Sequence, residues 1–143
     1  MPFPGTVNYT WAAGFPGRWA SENPRRLAVP GPDGFRAGAG GLTIAAFAWV
    51  QDDGTTVLNR PASDDGAAPP TGFVVASQQG LVTQYLEEHT MLIPGGFMVN
   101  LAEGGDVFAY ASTHATIGQA VYASTTDGTI QTGAAGAAPS GTV

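Results

Sequence analysis

The chain has 143 residues, of which 43% are apolar but only 11% charged, and five arginines against eleven carboxylates give a formal net charge of −6 with no lysine. That length suits one domain with one hydrophobic core, but the charged fraction lies far below the roughly 25% of an average soluble domain, so something other than charge covers much of the surface. The charge balance is +1 over residues 1–60 and −7 over residues 61–143, which argues against nucleic-acid binding by the acidic body, and the absence of cysteine excludes disulfides and thiolate metal sites.

Residues 1–41 are read as an extended arm with loops. Prolines at 2, 4, 16, 24, 30 and 32 and glycines throughout the segment are incompatible with helix, because proline removes a donor and restrains its predecessor while glycine costs backbone entropy. Six of the 14 aromatic residues nevertheless fall here: Phe3, Tyr9, Trp11, Phe15, Trp19 and Phe35. Aromatic side chains dominate interface energetics, so Tyr9, Trp11, Phe15 and Trp19 are candidate contacts, either with another surface or as a cap on the chain's own core. Arg25 and Arg26 follow Pro24 on the same segment, poised for bidentate pairing with carboxylates of a neighbour or of the acidic body itself. The opening Met1-Pro2-Phe3-Pro4-Gly5 lacks the basic and apolar regions of a secretory signal, and no apolar run approaches the roughly 20 residues of a membrane span. The expectation is a soluble intracellular product with no membrane partner.

The expected core covers residues 42–132. Leu42 to Val50 reads as one strand, apolar on both faces, with Phe47 and Trp49 as further candidate contact residues; such a strand is buried on both sides by a second sheet or by a partner. Asp52-Asp53-Gly54 ends it in a turn, and residues 60–70 read as a surface loop. Gly72-Phe73-Val74-Val75 and Phe97 to Leu101 read as strands, the second bracketed by Pro94-Gly95-Gly96 and Glu103-Gly104-Gly105-Asp106, with Val107 to Ala111 following. Residues 81–89 fit helical and alternating periods alike and are read as strand. Ile117 to Ala123 and Thr129 to Thr132 flank Asp127-Gly128, a strong hairpin signal because the turn needs positive φ. Residues 133–143 carry no large apolar side chain before Val143 and read as a loose tail. Short strands with Gly-rich turns make the fold class all-β, a small barrel or sandwich of jelly-roll kind.

Chemistry has little material. His89 and His114 are the two histidines, no Gly-x-Ser-x-Gly elbow frames a serine, and no His-Glu-x-x-His or calcium-loop spacing occurs. Asp52-Asp53 and Asp64-Asp65 beside glycine read as solvated turns. No catalytic residue, cofactor or metal is expected, and the chain is read as a non-enzyme.

The string Asn23-Pro24-Arg25-Arg26, then Gly31-Pro32-Asp33-Gly34-Phe35, Ala37-Gly38 and Phe47-Ala48-Trp49-Val50, resembles the first half of the structural cement proteins that decorate tailed-phage capsids. The second half is similar as well, in Pro70-Thr71-Gly72-Phe73-Val74, Tyr85-Leu86, Ile93-Pro94-Gly95-Gly96, Gly105-Asp106, Ile117-Gly118-Gln119-Ala120-Val121-Tyr122 and Asp127-Gly128-Thr129-Ile130. The resemblance implies a homodimer or homotrimer, the trimer preferred, made in the host cytoplasm and bound to the outer capsid surface of the virion. There it would bridge neighbouring major capsid proteins and stabilise the shell. A virion module binding a receptor or glycan through exposed Trp and Tyr is the alternative.

Overall fold

The computed structural model describes residues 10, 13–62, 68–76, 85–86 and 90–143. Its strands are β1 (Arg26–Leu27), β2 (Arg36–Ala37), β3 (Leu42–Thr43), β4 (Phe47–Val50), β5 (Thr56–Leu58), β6 (Gly72–Val74), β7 (Leu92–Ile93), β8 (Leu101–Gly104), β9 (Ala120–Ala123) and β10 (Ile130–Gly133). Six form one sheet in the order β1-β8-β6-β4-β5-β2, and the others pair as two ribbons, β9 with β10 and β3 with β7. Every pairing is antiparallel except β2 with β5. The fold is all-β, with no helix among the described residues and no sheet closed into a barrel.

Alternation along the central strands divides the apolar side chains between two faces. Val74 of β6, Ala48 of β4, Leu101 of β8 and Val57 of β5 enter one core, which the β3–β7 ribbon covers with Leu42 and Ile93. Phe73 and Ala102, next along β6 and β8, enter a second cluster with Ile130 of β10, against which Trp19, Phe47, Val107 and Ala111 pack. The central sheet is thus covered on both sides by the chain itself, as the two-faced apolar pattern of Phe47–Val50 requires.

The expected strand from Leu42 to Val50 is broken in two. Ala45 stands at a φ of 61°, donates its N–H to the Val74 carbonyl, and lets β3 leave for β7 while β4 stays in the main sheet. Alanine is among the less hindered residues to hold in the left-handed region, but the strain is still real. The turn after β4 follows its sequence signal: the Asp53 carboxylate accepts from the backbone N–H groups of Thr55 at 3.0 Å and Thr56 at 2.8 Å, and Gly54 takes a φ of 69°. Further on, β8 begins at Leu101 rather than at Phe97, with Met98 in an isolated bridge to Arg36. Val107 and Ala111 likewise pair only as isolated bridges. Most of residues 81–89 lie outside the described set. Within residues 13–41, β1 pairs with β8 and β2 with β5. Val143 exchanges two backbone hydrogen bonds with Ala123, at 2.8 and 3.0 Å, so main-chain pairing holds the last residues along β9.

Candidate interaction surface

The second face of the sheet is closed by segments with few hydrogen-bonded strands of their own. Gly17 donates its N–H to the Phe108 carbonyl, Phe108 to that of Arg18 and Ala20 to that of Asp106, at 2.7–2.8 Å, and this ladder brings Trp19 opposite Val107. Ala111 bridges Ile130, and Ser112 donates its N–H to the Ile130 carbonyl at 2.9 Å. The β9–β10 hairpin has the expected Asp-Gly, but its connection spans residues 124–129. The Gly128 carbonyl accepts from the N–H of Phe47, so the turn is seated on β4. Gly128 has a φ of +71°, and a Cβ there would overlap the Phe47 carbonyl.

These elements do not meet edge to edge. Between them lies an open groove of about 500 Å³ with Phe47 and Phe73 on its floor and Val107, Ala111, Val121 and Ile130 among its walls. The floor rings stand edge to face, 5.4 Å between centroids at 78°, the geometry that the ring quadrupoles favour. Among the described residues Glu103 is the charged member of the lining, and its carboxylate is engaged by Arg26 Nε at 3.0 Å. Val121 in its wall is 55% exposed, and Tyr110 at 79% and Ile117, fully exposed, present further apolar side chains to solvent.

The residues singled out from sequence distribute unevenly over this surface. Tyr9 and Trp11 lie outside the described residues. Trp19 packs half-buried against the second cluster and carries the Arg25 guanidinium 5.1 Å above its ring. Arg25 also reaches the Glu22 carboxylate at 3.0 Å and the Ser21 carbonyl at 3.1 Å. Arg26 pairs with Glu103 across β1 and β8. Phe47 is brought into the groove with Phe73, whereas Trp49 is only 3% exposed and donates its indole N–H to the Ala68 carbonyl at 2.9 Å. Phe15 is exposed. Val107, Ala111, Val121 and Ile130 were not singled out from sequence; each is a modest aliphatic residue in a weak alternating run, and only the fold gathers them.

One carboxylate fixes the entrance to this face. Asp106 accepts from the Ser21 hydroxyl and the Asn23 side-chain amide, both at 2.6 Å, and these bonds, Ser21 first, hold its pKa below the ordinary carboxylate value. Of the histidines, His114 is exposed and His89 lies outside the described residues. Among the described residues no group of three or more His, Asp or Glu is placed to hold a metal ion, and no helix is long and apolar enough to cross a membrane. What this surface offers a partner is apolar contact area.

No curated protein matches the chain. A family match, in contrast, runs over residues 3–143, nearly end to end. The chain belongs to the XM1 gp53 minor capsid protein family, and it is accordingly a structural protein of a phage capsid, located in the virion.

Proposed function

We propose that the chain decorates the outside of the phage head as a homodimer or homotrimer that bridges neighbouring major capsid proteins and clamps them together. The observation that carries this reading is the apolar groove together with the outward-facing side chains of Val121, Ile117 and Tyr110, on a molecule whose charged fraction is only 11%. Exposed apolar area of this kind on a small protein supports an association role. A protein that binds the assembled shell, and not its separated subunits, stabilises the shell by mass action, and the many equivalent positions on a capsid multiply the gain. The non-enzymatic reading accords with a capsid family and with a surface whose chemistry is contact rather than proton transfer. A glycan platform has weaker support: among the described residues Trp49 is buried and Trp19 half-covered, and the most exposed aromatic rings there are those of Tyr85 and Tyr110.

The test is to add purified protein to expanded capsids lacking it, then measure bound protein by sedimentation and shell rupture by light scattering during heating. Saturable binding with a raised rupture temperature is expected. Failure to bind at micromolar protein removes the proposal, and specific binding on a glycan array in place of capsid binding puts the platform reading first.

A further inference from the structure

We propose that two copies of the chain associate face to face about a twofold axis, the Ile117 turn of each seated in the groove of the other. This rests on the self-association within the function proposed above and names its contact. Ile117 is fully exposed on a turn braced from both ends: Gln119 donates its N–H to the Thr116 carbonyl at 3.3 Å, and Thr116 donates its N–H to the Gln119 side-chain oxygen at 2.9 Å. The turn therefore presents a fixed apolar knob. Ala115, two residues before it, and Val121, four residues after, both line the groove, so the Ile117 Cα stands within about 8 Å of the Ala115 Cα in the groove wall. A twofold axis between a knob and a hole on one face carries each knob into the other copy's hole, which is the reciprocity an isologous contact requires.

Charge selects a second copy as the occupant. Residues 107–143 hold one charged side chain, Asp127, whereas residues 1–106 hold the other ten carboxylates and all five arginines, a net −5. The Asp127 carboxylate is held within its own turn, accepting from the Thr129 N–H at 3.1 Å and the Thr129 hydroxyl at 2.8 Å. Around a twofold axis every group meets its own copy, so a self-contact centred on the acidic part of the chain sets like charge against like. One centred on residues 107–143 avoids that repulsion. A foreign partner gains instead from complementary charge, which steers its approach, and this stretch offers almost none. The groove completes the match, with the Phe47 and Phe73 rings on its floor and its described carboxylate, Glu103, already paired to Arg26. Its volume of about 500 Å³ exceeds that of an isoleucine side chain, so the turn enters together with Ile117.

The test is sedimentation equilibrium of the full-length protein beside Ile117→Asp, whose site is so exposed that circular dichroism and the melting midpoint should stay those of the parent. A dimer is expected, and the substitution, which removes two insertions from each pair, is expected to weaken it about a hundred-fold, roughly ten-fold per insertion. The absence of native cysteine permits a positional check: Ile117→Cys and Ala109→Cys proteins, mixed and treated with a short bis-maleimide, should give the mixed cross-linked product. Protein that stays monomeric at hundreds of micromolar overturns the inference, as does a trimer, or a dimer that Ile117→Asp leaves intact. The two readings fail separately. Monomeric protein that still binds capsids overturns this one alone, and dimers that ignore capsids overturn only the capsid-clamping reading.

Discussion

Phe73 is the side chain on which the second face rests. It is 5% exposed, meets Phe47 edge to face and forms part of the groove floor, so Phe73→Ala removes core packing and groove together. A loss of about 3–5 kcal/mol is expected for a buried phenylalanine, measured as a lowered midpoint in urea. Polar residues act differently. Asp106, Asp53 and Asp127 all have pKa values below the ordinary one: Asp106 through Ser21 and Asn23, Asp53 chiefly through the Thr56 hydroxyl, and Asp127 because bonds from Ser124 and Thr129 outweigh a partial burial that would raise it. A carboxylate depressed on folding contributes stability that is complete above its unfolded value of about 3.9 and is lost as pH falls through the folded value. Thermal stability should therefore hold at mildly acidic pH and drop below about pH 4. Asp106→Asn is expected to lower stability at neutral pH and flatten part of the acid-side drop in melts recorded across that window.

Elements differ in how far their sequences disclose them. Asp53-Gly54 marks the β4–β5 turn and Asp127-Gly128 the β9–β10 connection, because each demands a conformation that few residues adopt readily, and such demands are visible locally. The break at Ala45 has no such mark: alanine is ordinary in strands, and only the departure of β3 toward β7 calls for a positive φ there. The groove is still less legible, since Phe47, Phe73, Val107, Val121 and Ile130 come from five separate stretches that only the sheet order brings together. Arg25 and Arg26 were open between foreign and internal partners on sequence; the fold sets Arg26 against Glu103 through the β1–β8 register, and sequence carries no record of that register. The hairpin yields a sharp expectation. Gly128→Ala must hold a left-handed φ, at about 1–2 kcal/mol for an ordinary residue, and must also push the turn off the Phe47 carbonyl. A loss beyond that range, with faster exchange of the Phe47 amide with deuterium, is expected, and a neutral effect would mean that the turn is not seated on β4.

Taken whole, the molecule keeps its own sheet covered on both faces and still leaves apolar area facing outward at Ile117, Val121 and Tyr110, which suits a capsid component whose working state is an assembly. The sheet order has a further consequence, for the time course of maturation. β1 waits for β8, some 75 positions downstream, and β2 reaches its parallel neighbour β5 only across the β3–β4 excursion. Loop closure over such separations is costly before any contact rewards it, so refolding is expected on the millisecond-to-second scale of non-local β proteins, checked by stopped-flow tryptophan fluorescence. On the ribosome the central sheet stays incomplete until Gly104 has emerged, so a nascent chain stalled before that point should remain sensitive to protease along its whole exposed length.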